Sequence, residues 1–234
     1  MSDANPKITI EPAAENALII YFSSSPSPKT THLIQSLKQG LQDSLDHKLI
    51  DLVPSFASLL VQYHTELTDH FEIKAAINCV WERVNTTSQN ASAGKKVTLP
   101  VYYALETGPD LPTIAQQSGL SVSDVIQLHS SQEYLVYSIG FAPGFAYLGE
   151  VDARIATPRL ATPRASVPKG SVGIADQQTA VYPASSPGGW NIIGKCPVDL
   201  FNMNKSPTMP YIVGDTVRFE AIDKETFLSL GGTL

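Results

Sequence analysis

The chain has 234 residues, of which 43% are hydrophobic and 16% charged, a composition that excludes wholesale disorder and admits one large domain or two small ones. Sixteen Lys and Arg against twenty-two Asp and Glu leave a net charge of −6, which disfavours general nucleic-acid binding because an acidic surface repels a phosphate backbone. Cys79 and Cys196 are too far apart to form a CxxC pair or a disulfide framework, Met1 to Lys7 lacks a basic stretch leading into an apolar one, and the longest apolar runs, such as Ala17 to Ile20, cannot span a bilayer. The expectation is a cytoplasmic protein in a reducing compartment, bound neither to membrane nor to nucleic acid.

In chain order, Lys7 to Ile10 and Asn16 to Phe22 read as strands. From Pro28 the residues Leu33, Ile34, Leu37, Leu41 and Leu45 recur at three- and four-residue steps, the apolar face of a helix. Lys48 to Val53 and Phe56 to Tyr63 read as two strands separated by Pro54, which has no N–H to give to a ladder. A second helix opens at Thr68, with Ile73, Ala76, Ile77, Val80, Trp81 and Val84 as its stripe, and Val97 to Tyr103 supplies a further strand. The order β, α, β, β, α, β predicts a ferredoxin-like split βαβ unit. The polar stretch Asn85 to Lys96 reads as a linker, which places a domain boundary between residues 1–90 and 91–234.

Two short helices follow. The first starts after Asp110 with Pro112 in its opening turn and stops at Gly119; the second is capped by Ser121 with Asp124 three residues on. Beyond residue 130 the pattern changes: nine of the seventeen prolines and eight of the fifteen glycines fall between Gly140 and Pro210. That density excludes long helices, so the runs Ser171 to Ala175, Ala180 to Tyr182 and Asn191 to Ile193 are expected to be short strands of an all-β barrel or sandwich.

This second half carries the candidate chemistry. In Gly140 to Gly149, two Gly-Phe pairs flank Pro143; the aromatic side chains can wall a pocket, or can pack a tight barrel corner. Thr157-Pro158-Arg159 is repeated as Thr162-Pro163-Arg164, and Arg154 and Lys169 continue the five-residue step. Such a patch can receive a carboxylate or phosphate, arginine doing so bidentately, or it can be a solvated surface. Because five is odd, a regular strand would send Arg159 and Arg164 to opposite faces, so a shared site requires the segment to bend. In Ser185 to Trp190 the Gly188-Gly189 pair can turn N–H groups towards an oxyanion, or make an ordinary turn; Ser186 lacks the Gly-x-Ser-x-Gly setting of a nucleophile elbow. His129 ends the second short helix, where it can serve as general acid or base, or as a cation favoured by the helix C-terminus. The five histidines show no metal-ligand spacing, so no metal is expected, and neither a P-loop nor a Gly-x-Gly-x-x-Gly is present.

Taken together, Gly108-Pro109-Asp110-Leu111, Gly140 to Leu148, the doubled Pro-Arg, Val167 to Val172, Tyr182-Pro183, Ser186 to Trp190 and Gly214 to Phe219 resemble the motifs of the 5-oxoprolinase B-subunit family, also called KipI or allophanate hydrolase subunit 1. The N-terminal portion matches by layout and length more than by motif. Tyr103-Ala104-Leu105 departs from it, since the family tends to carry glycine after the tyrosine. The resemblance implies an α+β protein: the N-terminal ferredoxin-like domain followed by a cyclophilin-like β-barrel. It implies a role in ATP-dependent hydrolysis of 5-oxo-L-proline to L-glutamate, with two partners, the KipA-like C subunit plus the A subunit, and with ATP in the assembled complex. Two alternatives accompany it: a KipI-like inhibitor of a histidine kinase, and a carboxyltransferase-like subunit of a biotin-dependent urea or amide carboxylase. The candidate substrate-binding residues are those of the motif loops, Phe141, Pro143, Gly144, Phe145, Arg159, Arg164, Ser186, Gly188, Gly189 and Trp190, and His129 is the catalytic candidate.

Overall fold

The computed structural model describes residues 7–22, 25–87 and 94–234, and the chain divides into two compact units, Met1–Ala93 and Gly94–Leu234. Residues 88–93 of the expected linker lie outside the described residues; on its near side the second long helix continues to Thr87.

The first unit is a four-stranded antiparallel sheet with two helices. β1 (Ile8–Ala14) and β2 (Ala17–Phe22) form a hairpin, α1 covers Pro28–Leu45, β3 (Leu49–Ser55) and β4 (Ser58–Tyr63) form a second hairpin, and α2 covers His70–Thr87. Ser27 starts α1 from an extended conformation, its hydroxyl accepting the Thr30 N–H at 3.1 Å, with Pro28 in the first turn where a missing N–H costs nothing. The predicted stripe of α1 and that of α2 meet over the sheet face formed by Leu18, Ile20, Leu59 and Val61.

The strand order is β1-β2-β4-β3. The split βαβ is therefore present, as β2-α1-β3 with β4 between them, but the strand completing the sheet beside β2 is β1. The run after α2, Val97 to Tyr103, expected in that place, belongs instead to the second unit. Pro54 is a second correction: it lies inside β3 opposite Leu59, and the reversal occurs at Phe56 and Ala57. Phe56 has φ 37°, the positive φ that a two-residue hairpin loop demands.

The second unit is a closed seven-stranded barrel. Its strands are β5 (Lys96–Tyr102), β6 (Glu133–Ile139), β7 (Ala146–Gly149), β9 (Ser171–Ala175), β10 (Gln178–Val181), β12 (Asn191–Lys195) and β13 (Thr216–Ile222). They run in the order β6-β13-β5-β12-β9-β10-β7, and β7 pairs back to β6. All neighbours are antiparallel except β13 and β5. Closure removes sheet edges, and inward Leu99, Val101, Val136, Leu148, Val172, Ile174, Ile193, Val217 and Phe219 fill the interior.

Between β5 and β6 come α3 (Leu111–Ser118), which ends at Gly119, and α4 (Val122–Ser130), which has the Ser121–Asp124 capping box that the sequence indicates. β8 (Arg164–Val167) and β11 (Ser186–Gly188) form a separate two-stranded ribbon, and a short α5 (Lys224–Ser229) closes the chain. Cys79 and Cys196 are both free thiols. No helix among the described residues is long and apolar enough to cross a membrane.

Candidate functional site

Three of the motif segments, at 140–148, 157–164 and 186–190, build one cleft on the second unit. In the first, the Phe145 N–H donates to the Ala142 carbonyl at 2.9 Å, closing a turn with Pro143 and Gly144 at its centre. Gly144 has φ 85°, which the third position of a type II turn requires, and proline suits the second. The turn buries Phe145, 2% exposed, and leaves Phe141 63% exposed with its backbone at φ 75°, unusual for a bulky residue. Phe145 is the hub of an aromatic cluster, its ring edge-on to Phe141, Tyr147, Tyr182 and Trp190 at centroid distances of 5.0–5.7 Å.

Around this hub opens a cleft of about 90 Å³ lined by Phe141, Phe145, Tyr147, Arg159, Tyr182, Pro187, Gly188, Gly189 and Trp190. A Cβ on Gly188 would lie 2.3 Å from the Tyr182 hydroxyl oxygen, so only glycine allows that wall. Burial raises the Tyr182 pKa above its ordinary value, so its phenol stays protonated.

The five-residue series of cations resolves into three ion pairs and one free group. Arg154 forks onto Asp152 at 2.7 and 2.9 Å, its hydrogen bonds holding that carboxyl down to about 2. Lys169 pairs with Asp199 at 2.5 Å. Arg164 donates to Asp110 Oδ1 at 2.7 Å and to the Trp190 carbonyl at 3.3 Å. Arg159 has no acidic partner and makes no hydrogen bond through its side chain among the described residues; its guanidinium carbon lies over the Trp190 ring, 5.7 Å from the centroid.

The backbone on either side of Arg159 is pinned. Asn191 Nδ2 donates to the Pro158 carbonyl at 2.8 Å, and the Leu160 N–H donates to the Gly189 carbonyl at 2.7 Å. The segment bends, as a shared location for both arginines demands, but its two guanidinium groups have different employment. A two-arginine clamp on one anion is thus corrected: the Arg164 fork is engaged by a carboxylate of the chain itself.

Asp110 stands at the N-cap of α3 without capping it. Its Oδ1 accepts from Arg164 and its Oδ2 accepts the Ile192 N–H at 2.6 Å, so one buried carboxylate ties α3, the 154–169 segment and β12 together. Ser186 does not line the cleft; its hydroxyl oxygen is buried with no hydrogen-bond partner among the described residues, hence no base activates it. Pro143 is exposed at the tip of its turn, and the Gly144 carbonyl accepts from the buried Tyr211 hydroxyl at 2.8 Å.

His129 is 0% exposed and also lies outside the cleft lining. The Thr179 hydroxyl donates to the Gly173 carbonyl at 3.0 Å, so at 2.8 Å from His129 Nε2 it accepts. Nε2 therefore carries the proton, and Nδ1 accepts from the Tyr103 hydroxyl at 2.7 Å. The ring stacks on Phe219 at 4.7 Å, and burial lowers its pKa from 6.5 to about 3. A helix-terminal cation is excluded by this environment, and both nitrogens are saturated within the barrel.

The cleft thus unites Phe141, Phe145, Arg159, Gly188, Gly189 and Trp190, and leaves out His129, Pro143, Gly144, Arg164 and Ser186. Sequence reasoning missed Tyr147, Tyr182 and Pro187 as lining residues, and Asp110 and Asn191 as the groups that fix Arg164 and the Arg159 segment. Among the described residues no group of three His, Cys, Asp or Glu is placed to hold a metal ion.

Known proteins share both the sequence and the fold. The family described as carboxyltransferase domain, subdomain C and D, matches residues 8–211. The B subunit of 5-oxoprolinase from Bacillus subtilis (strain 168) is 35% identical over 226 residues, covering 93% of this chain and 94% of that protein. The chain belongs to the 5-oxoprolinase B-subunit family. The corresponding protein of Haemophilus influenzae is 34% identical over 212 residues, covering 91% of this chain and 97% of that one.

Among solved structures, a conserved uncharacterized protein from Pyrococcus horikoshii is 42% identical with a TM-score of 0.56, covering 94% of this chain and all of that one. The Kluyveromyces lactis urea amidolyase superposes with a TM-score of 0.76 at 15% identity, covering 98% of this chain and 16% of that one. That second likeness shows the fold alone. The mixed α+β architecture with a closed barrel agrees with the fold class that the motifs implied.

Proposed function

We propose that this chain is the B subunit of a cytoplasmic 5-oxoprolinase complex that hydrolyses 5-oxo-L-proline to L-glutamate at the expense of ATP, together with the KipA-like C subunit plus the A subunit. The observation that carries this reading is identity of 34–35% to proteins named as the B subunit of 5-oxoprolinase over more than nine-tenths of the chain. The reaction adds water across the lactam C–N bond, releasing a carboxylate and an amine. The lactam carbonyl is a poor electrophile, which gives ATP its purpose in the complex.

The cleft does not fit a nucleoside triphosphate. Its volume of about 90 Å³ and single unpaired guanidinium compare with the ~300–1,000 Å³ of pockets that enclose larger ligands, and the sequence carries neither nucleotide fingerprint. In this reading the nucleotide is bound elsewhere in the complex, and this chain contributes an aromatic cleft of small-molecule size. The test is to incubate the purified chain alone with 5-oxoproline, ATP and Mg²⁺. No glutamate is expected, because no nucleophile–base pair lies in the cleft; turnover by the lone chain at the rate of the assembled complex would overturn the division of labour.

A further inference from the structure

The geometry points to the cleft as a binding site for a small, flat, singly charged carboxylate, with Arg159 as the group that holds the carboxylate and the Phe145–Trp190 walls enclosing the ring. The identification of that ligand with 5-oxoproline rests on the proposed function; the chemical class rests on the cleft itself.

Three observations converge. The first is charge. Of the four cations in the 154–169 segment, three are neutralised by Asp152, Asp110 and Asp199, and the one without an acid is the one at the cleft. A phosphate dianion calls for more than one cation or a cradle of donors, whereas one guanidinium matches one carboxylate in a two-point fork.

The second is preorganisation. Arg159 sits in a segment without regular secondary structure, yet the carbonyl before it and the N–H after it are tied to Asn191 and Gly189, and its guanidinium rests on the Trp190 ring. These ties aim a side chain that would otherwise sweep through solvent, lowering the entropy lost on binding.

The third is size and shape. A cleft of about 90 Å³ is smaller than the ~150 Å³ cavity that encloses a benzene ring, so it takes a small ring with one edge left in solvent. Five of its nine lining residues are aromatic, a lining that suits a flat ring. Phe141 stands exposed at the mouth on a positive-φ backbone, edge-on to Phe145 at 5.1 Å, where it can cover that outer edge.

The experiment titrates the full chain, by calorimetry and by tryptophan fluorescence, with four probes: 5-oxo-L-proline, furan-2-carboxylate (flat ring and carboxylate without lactam), pyrrolidin-2-one (lactam without carboxylate) and inorganic phosphate. Saturable binding of the two carboxylates, with pyrrolidin-2-one and phosphate at least about tenfold weaker, is expected. Arg159→Ala should weaken both carboxylates about tenfold, and Arg159→Lys should restore part of the loss because it keeps the charge without the fork. Arg159 is exposed, so thermal denaturation of both variants should match the parent. Equal binding of pyrrolidin-2-one and furan-2-carboxylate, tighter binding of phosphate, unchanged affinity in Arg159→Ala, or no saturable binding of either carboxylate at tens of millimolar would each overturn the proposal. These titrations need no partner protein, so an inactive complex with intact carboxylate binding would sink the proposed function and leave this inference standing, and the converse result would do the reverse.

Discussion

Arg159 and Arg164 occupy identical tripeptides, Thr-Pro-Arg, and the fold gives them opposite tasks. The difference lies in Asp110, more than fifty positions upstream of Arg164, whose carboxylate meets one arginine and not the other. No local pattern reveals such a pairing, which is why a two-arginine clamp was legible in the sequence and its dissolution was not. Breaking a largely buried pair leaves one group uncompensated, so Asp110→Ala and Arg164→Ala should each destabilise the protein by about 1–3 kcal/mol, with the double variant costing less than their sum. Chemical denaturation of the three variants checks this.

Gly188 and Gly189 make a similar contrast. Alanine at 188 would place its Cβ 2.3 Å from the Tyr182 hydroxyl oxygen, whereas at 189 the nearest atom is 3.6 Å away. Gly188→Ala is expected to cost about 1–3 kcal/mol, and Gly189→Ala to stay within about 0.5 kcal/mol, in denaturant melts.

His129 supplies a pH dependence whose sign follows from its depressed pKa. The unfolded chain binds a proton at this residue near 6.5, while the native ring resists it until about 3. Between those values the unfolded state holds the extra proton, so stability falls as pH falls, the folding constant by up to about tenfold per pH unit. The groups facing the ring, Tyr103, Tyr134, Thr179 and Phe219, are uncharged. Urea melts between pH 7 and about 5, above the range in which unfolded carboxylates titrate at ~4.3, should show this slope, and His129→Gln should flatten it.

At the scale of elements, periodicity was a dependable guide where one face alone decides. Of the predicted stripes, Leu33, Ile34, Leu37 and Leu41 and Ile73, Ile77, Val80 and Trp81 are buried, with Leu45, Ala76 and Val84 half-buried beside them, and the capping box at Ser121 and stop at Gly119 are local chemistry that the structure repeats. The errors arose where the partner of an element decides. Val97 to Tyr103 is a strand in either arrangement, but only pairing with β13 and β12 shows that it belongs to the barrel. Pro54 lies inside β3, and the hairpin turns at Phe56 instead.

The cleft is likewise an element-scale object: the turn at Pro143-Gly144, the pinned segment at Arg159 and the ribbon of β8 and β11 are each ordinary alone. Asn191, at the start of β12, joins the Arg159 segment to the barrel, donating to Pro158 and to Ile174. Asn191→Ala should therefore loosen Arg159 and weaken carboxylate binding, while Asn191→Asp, which cannot donate, should not rescue it. Titration of the two variants with 5-oxoproline checks this.

For the whole molecule, the division of the chain into a helix-covered sheet and a barrel was legible from the shift in proline and glycine density, and the family from ordered motifs spread over the second half. Which motif residues face one another was not, because the cleft is closed by contacts between positions distant in sequence, Arg159 with Trp190 and Phe145 with Tyr182 and Trp190. In the proposed function this chain is one component of an enzyme that works only when assembled. The direct measurement is ATP-dependent glutamate formation from 5-oxo-L-proline with this chain and its two purified partner proteins, each omitted in turn. Activity is expected from the full set and none when this chain is left out. Undiminished glutamate formation without it, or none from a complete set that has assembled, would overturn the proposed function.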